Sequence, residues 1–223
     1  MKNNRIMKAA GALLVLVLVT SCFVGSTFAK YTTAGTGTDS ARVAKFGVKI
    51  EANGATFAKA YATDDQHVGT IANSVVSSDN DKLVAPGTKG SMVSMTITGT
   101  PEVAVQVNYT AEVDLTGSWM DAQNKFYCPL QIKIGTTTID GHSYTSKEAF
   151  IQAIEAEINR FSASYEPGTN LTTTAVTPAV SWEWPFSVSE ENDVKDTYLG
   201  DQAAEGNASG ISVSVTTTVT QID

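Results

Sequence analysis

The sequence predicts an all-β, jelly-roll-like β-sandwich with one inserted amphipathic helix, set behind an N-terminal signal peptide. Three observations carry that prediction. Val103, Val105, Val107, Tyr109, Ala111 and Val113 alternate with Gln106, Asn108, Thr110 and Glu112, the period-2 signature of an antiparallel strand with one wet face. The end of the chain repeats the pattern, with Ile211, Val213, Val215, Thr217 and Val219 set against Ser212, Ser214, Thr216 and Thr218. Between them, Phe150, Ile151, Ile154, Ile158 and Phe161 change to three- and four-residue spacing, the period of a helix with one apolar stripe. At 223 residues, 42% hydrophobic and 17% charged, the chain can bury one core, and this composition excludes a collagen-like, fully disordered or multi-span membrane protein.

The elements follow in chain order. Lys2, Arg5 and Lys8 form a positive region, Ala9 to Val19 an apolar one, and Gly25-Ser26-Thr27-Phe28-Ala29 offers small residues to a signal peptidase. Cleavage is therefore expected between Ala29 and Lys30. Two other readings use the same residues. The stretch Ala9 to Ala29 is uncharged over 21 residues and long enough to remain as a membrane anchor, and Val19-Thr20-Ser21-Cys22 resembles a lipobox with Cys22 as the acylated residue. Residues 30–42 are Thr/Gly-rich and too polar to pack. Residues 43–223 then make the sandwich domain, with no repeat of fixed period and no linker that separates two cores.

Val43 to Ile50 reads as the first strand of that domain. The poorly patterned region from Glu51 to Val84 predicts short strands and surface loops, and Pro86-Gly87 a turn. Strands are expected at Met92 to Thr98 and Val103 to Val113, and a hairpin around Gly135 joins Phe126–Ile134 to Thr136–Ile139, with Pro129 confined to an edge or bulge. Thr145-Ser146-Lys147-Glu148 fits a capping box for a helix near 146–162 whose stripe packs on the sheet. Ala179 to Phe186 carries Trp182 and Trp184 on one face, and Ile211 to Val219 closes the chain as a core strand.

Charge restricts the partners. The first 29 residues hold three of the 15 basic groups and none of the 23 acidic ones, so the cleaved chain has 12 against 23, a formal charge of −11. That balance disfavours nucleic acid and anionic membrane surfaces, leaving the signal peptide as the only expected membrane contact. Of the two cysteines, Cys22 lies in the signal region, so the cleaved chain keeps Cys128 alone and forms no internal disulfide.

Chemistry-bearing patterns are sparse. His67 and His142 lie in no zinc motif and read as exposed loop residues, while Cys128, between apolar Phe126 and Leu130, reads as a small buried hydrophobe. No nucleophile elbow, Walker A or dinucleotide fingerprint is present, so nothing supports an enzyme and no cofactor or metal is expected. Acidic runs at Asp79-Asn80-Asp81 and from Glu190 to Asp196, with Asp201 beyond, supply oxygen ligands of the type Ca²⁺ takes, yet neither matches an EF-hand loop and both read as solvated. Trp182 and Trp184 are open to two readings, a sugar-stacking platform or core filling.

Several of these segments together carry a resemblance. Gly25-Ser26-Thr27-Phe28-Ala29-Lys30-Tyr31 resembles the export signal of the TasA/camelysin family of Gram-positive bacteria. Leu83-Val84-Ala85-Pro86-Gly87-Thr88-Lys89 and the strands after it resemble that family's Pro-Gly turn and paired strands. Trp182-Glu183-Trp184-Pro185-Phe186, Asp193, Asp196-Thr197, Leu199-Gly200 and the closing strand into Val219-Thr220-Gln221 are similar to exported members. The resemblance implies processing by a dedicated ER-type signal peptidase and a jelly-roll subunit of an extracellular biofilm matrix. Such subunits form fibres by lending an N-terminal strand to the next copy, and other matrix proteins are possible partners. The metalloprotease activity ascribed to camelysins is not carried over, because no zinc motif is present, and the long Lys-rich C-terminal tail of the best-known fibre former is missing. In this reading the donor strand contains Val43, Phe46, Val48 and Ile50, and the partner is a second copy of the chain. The competing expectation is a monomeric cell-surface binding module or adhesin, held by an uncleaved or lipidated N-terminus.

Overall fold

A computed structural model describes residues 42–53, 57–62, 73–79 and 81–223. The chain divides into two units, Met1–Val43 and Ala44–Asp223, and the described strands and helices all belong to the second. Its strands are β1 (Lys49–Asn53), β2 (Ala60–Tyr61), β3 (Val75–Val76), β4 (Lys89–Thr98), β5 (Val105–Thr116), β6 (Gln131–Ile134), β7 (Thr137–Asp140), β8 (Ala163–Tyr165), β9 (Val180–Glu183) and β10 (Gly210–Gln221). The helices are α1 (Lys147–Asn159), α2 (Leu171–Thr174) and α3 (Glu190–Ala204). A 3₁₀ turn spans Gly141–Ser143.

All strand pairings among the described residues are antiparallel. One sheet has the order β1-β4-β9-β6-β7, a second β10-β5-β8, and β2 pairs with β3 alone. The two larger sheets share one core. It joins Met95 and Ile97 of β4, the alternating Val105, Val107, Tyr109, Ala111, Val113 and Leu115 of β5, Ile132 and Ile134 of β6, and Val180 and Trp182 of β9. The chain is thus a β-sandwich, as the alternation in Val103–Val113 predicts.

Helix α1 does more than cover this core. Phe150, Ile154 and Ile158 are fully buried, and Ser146 caps the helix by accepting from the Ala149 N–H at 3.2 Å. The cap is one residue later than a box starting at Thr145 requires, so Ala149 rather than a glutamate occupies its third position. The polar side of the helix stands in for a strand. Strand β8 pairs with β5 only at Val105–Val107, and beyond that point the N–H groups of Tyr109, Ala111 and Val113 donate to Ser162 Oγ, Asn159 Oδ1 and Glu155 Oε1 at 2.9, 3.2 and 3.0 Å. Lys147 Nζ donates to the Leu115 carbonyl. Each of these amides left unmade inside the protein would cost about 1–3 kcal/mol, which explains why the helix must lie along β5.

Four expectations need correction. The first strand begins at Lys49 rather than Val43, because Gly47 takes a φ of +50°, which interrupts extended backbone. A side chain on Gly99 would also meet the Gly47 carbonyl oxygen at 2.2 Å, so the lead into β1 and the exit of β4 cross where only glycine fits. The run Glu190–Asp196 is not a loop but the first turns of α3, capped by Ser189 and carrying Glu190, Glu191 and Asp193 where the helix dipole favours acids. His142 belongs to the 3₁₀ turn, with its side chain 15% exposed, rather than to an open loop. Finally, among the described residues β10 lies at a sheet edge, and its inward residues are half-buried where those of β5 are buried.

Candidate functional site

Strand exchange requires a strand at an edge, and β1 occupies one. Among the described residues it is bonded to β4 alone, in the register Lys49↔Thr98 through Asn53↔Ser94. Ile50 lies opposite buried Ile97 and turns inward while still 38% exposed, and Lys49 and Glu51 face outward as an ion pair. Ahead of the strand, Lys45 and Glu102 bond reciprocally: the Lys45 N–H donates to the Glu102 carboxylate and the Glu102 N–H to the Lys45 carbonyl, both at 2.9 Å. Of the residues assigned to the donor strand, Ile50 lies in β1, Val48 packs half-buried on the core, and Val43 and Phe46 are exposed at 91% and 41%. The expected cleavage residues Ala29 and Lys30, with Cys22, His67 and Asn80, lie outside the described residues.

A second cluster ties α3 to the sandwich, and the sequence pattern does not reveal it. Asp196 of α3 accepts from the Tyr127 hydroxyl at 2.7 Å and from Trp184 Nε1 at 3.1 Å. On the other side of Tyr127, His142 Nε2 lies 3.4 Å from the hydroxyl and Nδ1 lies 2.8 Å from Asp140. Lys195 sits 5.4 Å over the Tyr127 ring and bridges Glu191 and Asp121 at 2.7 and 3.9 Å. Asp121, 4% exposed, accepts from the Gln123 and Lys125 N–H groups, which explains a buried carboxylate as a turn device. A cavity of about 130 Å³ beside Trp119, Trp184, Asp196 and Leu199 is smaller than sites that enclose drug-sized ligands. The i,i+4 spacing of Glu191 and Lys195 is the only signal in sequence, and it needs α3 to be recognised as a helix.

Burial raises the Asp196 carboxyl above its ordinary 3.8 and outweighs the lowering effect of the Trp184 and Tyr127 hydrogen bonds. Burial first, and Asp196 second, also drives the Tyr127 hydroxyl upward, so Tyr127 remains the donor. A carboxyl raised on folding contributes stability that is complete below its unfolded pKa and is lost as pH rises through its folded pKa. Asp196→Asn is accordingly expected to gain stability relative to the native protein as pH rises from 3.8 through that folded value. Urea midpoints across this window measure it, and a pH-independent difference would exclude the assignment.

The other candidates fall into place as structural residues. Trp182 and Trp184 are 2% and 5% exposed, so they fill the core and offer no stacking platform. Cys128 is fully buried and unpaired, and burial pushes its thiol up to about 12. Asp79 and Asp81 are exposed, and among the described residues no group of three or more His, Cys, Asp or Glu is placed to hold a metal ion. No described helix is long and apolar enough to cross a membrane.

The sheets and their shared core define a class: among the described residues, an antiparallel β-sandwich. Comparison with protein-family models, with curated proteins and with solved structures finds no match.

Proposed function

We propose that the chain is a secreted structural protein of an extracellular, biofilm-type matrix, a jelly-roll subunit related to TasA and camelysin. It leaves the cell through cleavage after Ala29 and builds fibres by passing its N-terminal strand to the next copy. The carrying observation is the position of β1, the first described strand of the sandwich, at a sheet edge with one hydrogen-bonded neighbour among the described residues. Withdrawing it breaks a single ladder and uncovers Met95 and Ile97, and the same strand of another copy restores both contacts without new chemistry. Because the contact is head-to-tail and need not close, repetition gives a filament.

Electron microscopy of the exported protein with and without residues 30–42 tests the reading. Filaments are expected from the full exported chain only. Equal filaments from the shortened chain would refute strand donation through this segment. Intact mass beginning at Lys30 is the expected product of export, and retention of Cys22 would refute the cleavage.

A further inference from the structure

The sheet edges of this protein are not guarded alike. On β1 the Lys49–Glu51 pair faces outward, and the open length of β5 is closed by side chains of α1 and the turn after it. Strand β10 has neither protection. It runs for twelve residues in unbroken register with β5, from Gly210↔Thr116 to Gln221↔Val105, and among the described residues no strand pairs with its other side. It contains no proline, no bulge and no charge, the devices that keep natural edges from pairing. Every other described strand of four or more residues carries at least one Lys, Asp or Glu. Across the shared ladder, Val107, Tyr109, Ala111, Val113 and Leu115 of β5 are buried, whereas Ile211, Val213, Val215 and Val219 of β10 are only half-buried. The apolar layer is therefore left incomplete along this edge.

We propose that β10 is a pairing edge at which two copies of this chain join antiparallel about a two-fold axis, merging their β10-β5-β8 sheets into one. The occupant is β10 itself because its pattern is self-complementary. With Val215 on the axis, Ile211 faces Val219 and Val213 faces Thr217 on the inner side, while Ser212 faces Thr218 and Ser214 faces Thr216 on the outer side. Apolar meets apolar or a threonine methyl, and hydroxyl meets hydroxyl. In a chain of formal charge −8, this seam sets no charged side chain of one copy opposite one of the other. Edge N–H and C=O groups gain partners, and the half-buried valines gain cover. This contact is distinct from strand donation at β4, since it uses the other sheet and closes on itself.

Single cysteines at the solvent-facing positions Ser212, Ser214, Thr216 and Thr218 of the full exported chain test the seam, read as disulfide-linked dimers on a non-reducing denaturing gel after mild oxidation. Native Cys128 is fully buried and stays out of the reaction. Dimer is expected when Ser214→Cys chains are mixed with Thr216→Cys chains, because these two positions face each other directly across the axis, within disulfide reach. It is expected to be absent from Ser212→Cys alone and from Thr218→Cys alone, whose own copies lie about 20 Å apart along the strand. Adding Thr216→Lys to Ser214→Cys is expected to reduce the dimer to background while filaments, if strand exchange makes them, persist in the microscope. No dimer from the mixture, or equal yield from the mixture and from each chain alone, overturns the proposal. The first result would also follow if a neighbour's N-terminal segment occupied this edge. Filament loss on removing residues 30–42 reports on strand exchange alone, so either reading can fail while the other stands.

Discussion

Exported protein lacking residues 30–50 is expected to form no filaments at any concentration, and a free peptide of residues 30–50 is expected to bind it as a capped monomer. The deletion removes the Lys45–Glu102 latch and the first part of β1, leaving the β4 edge open beside Met95 and Ile97. A peptide with the same residues can refill that edge but cannot extend a polymer, because it carries no sandwich behind it. Adding the peptide to intact subunits is expected to shorten filaments in proportion to its concentration. Sedimentation velocity and microscopy read both effects. Filaments from the deleted protein would refute donation of this strand.

Trp182→Ala is expected to cost about 3–5 kcal/mol, a large share of the roughly 5–15 kcal/mol typical of a domain. The indole is 2% exposed, its ring centroid lies 5.2 Å from that of Phe57 and 5.9 Å from that of Tyr61, and it pairs in register with Ile132. Truncation therefore opens a void at the place where the loops after β1 are held to the sheet. Urea unfolding measures the loss. A change under about 0.5 kcal/mol, the range of surface substitutions, would show that Trp182 is not a core residue.

What the sequence made legible depended on how strongly each element separates its two faces. Strand β5 and helix α1 were plain because their apolar residues recur at one period and are buried, Phe150, Ile154 and Ile158 among them. Helix α3 escaped notice because it buries only Leu199 and is otherwise polar, so no stripe marks it. Gly47 stood inside a convincing strand pattern, and its positive φ, like the close approach of its carbonyl to Gly99, is a backbone feature that side-chain alternation does not record. The alternation of β10 revealed a strand with one apolar face but not whether a neighbour lies on each side. That is a property of sheet order, which local pattern does not encode. The Asp196 cluster was hidden for the same reason, since Tyr127, His142, Trp184 and Asp196 come from four separate segments.

The row of hydrogen bonds from α1 and the following turn to β5 also sets a limit on stoichiometry. A sheet with two bare sides is a template that any number of copies can lengthen, which is how cross-β ribbons grow. In this protein the length of β5 beyond the three-residue β8 is closed by Ser162, Asn159 and Glu155, so among the described residues β10 is the one long bare edge of the three-stranded sheet, and a single pairing event uses it up. The helix thereby leaves this sheet a single long edge, and in the proposed pairing an association through that edge is spent at two chains instead of running on as a ribbon.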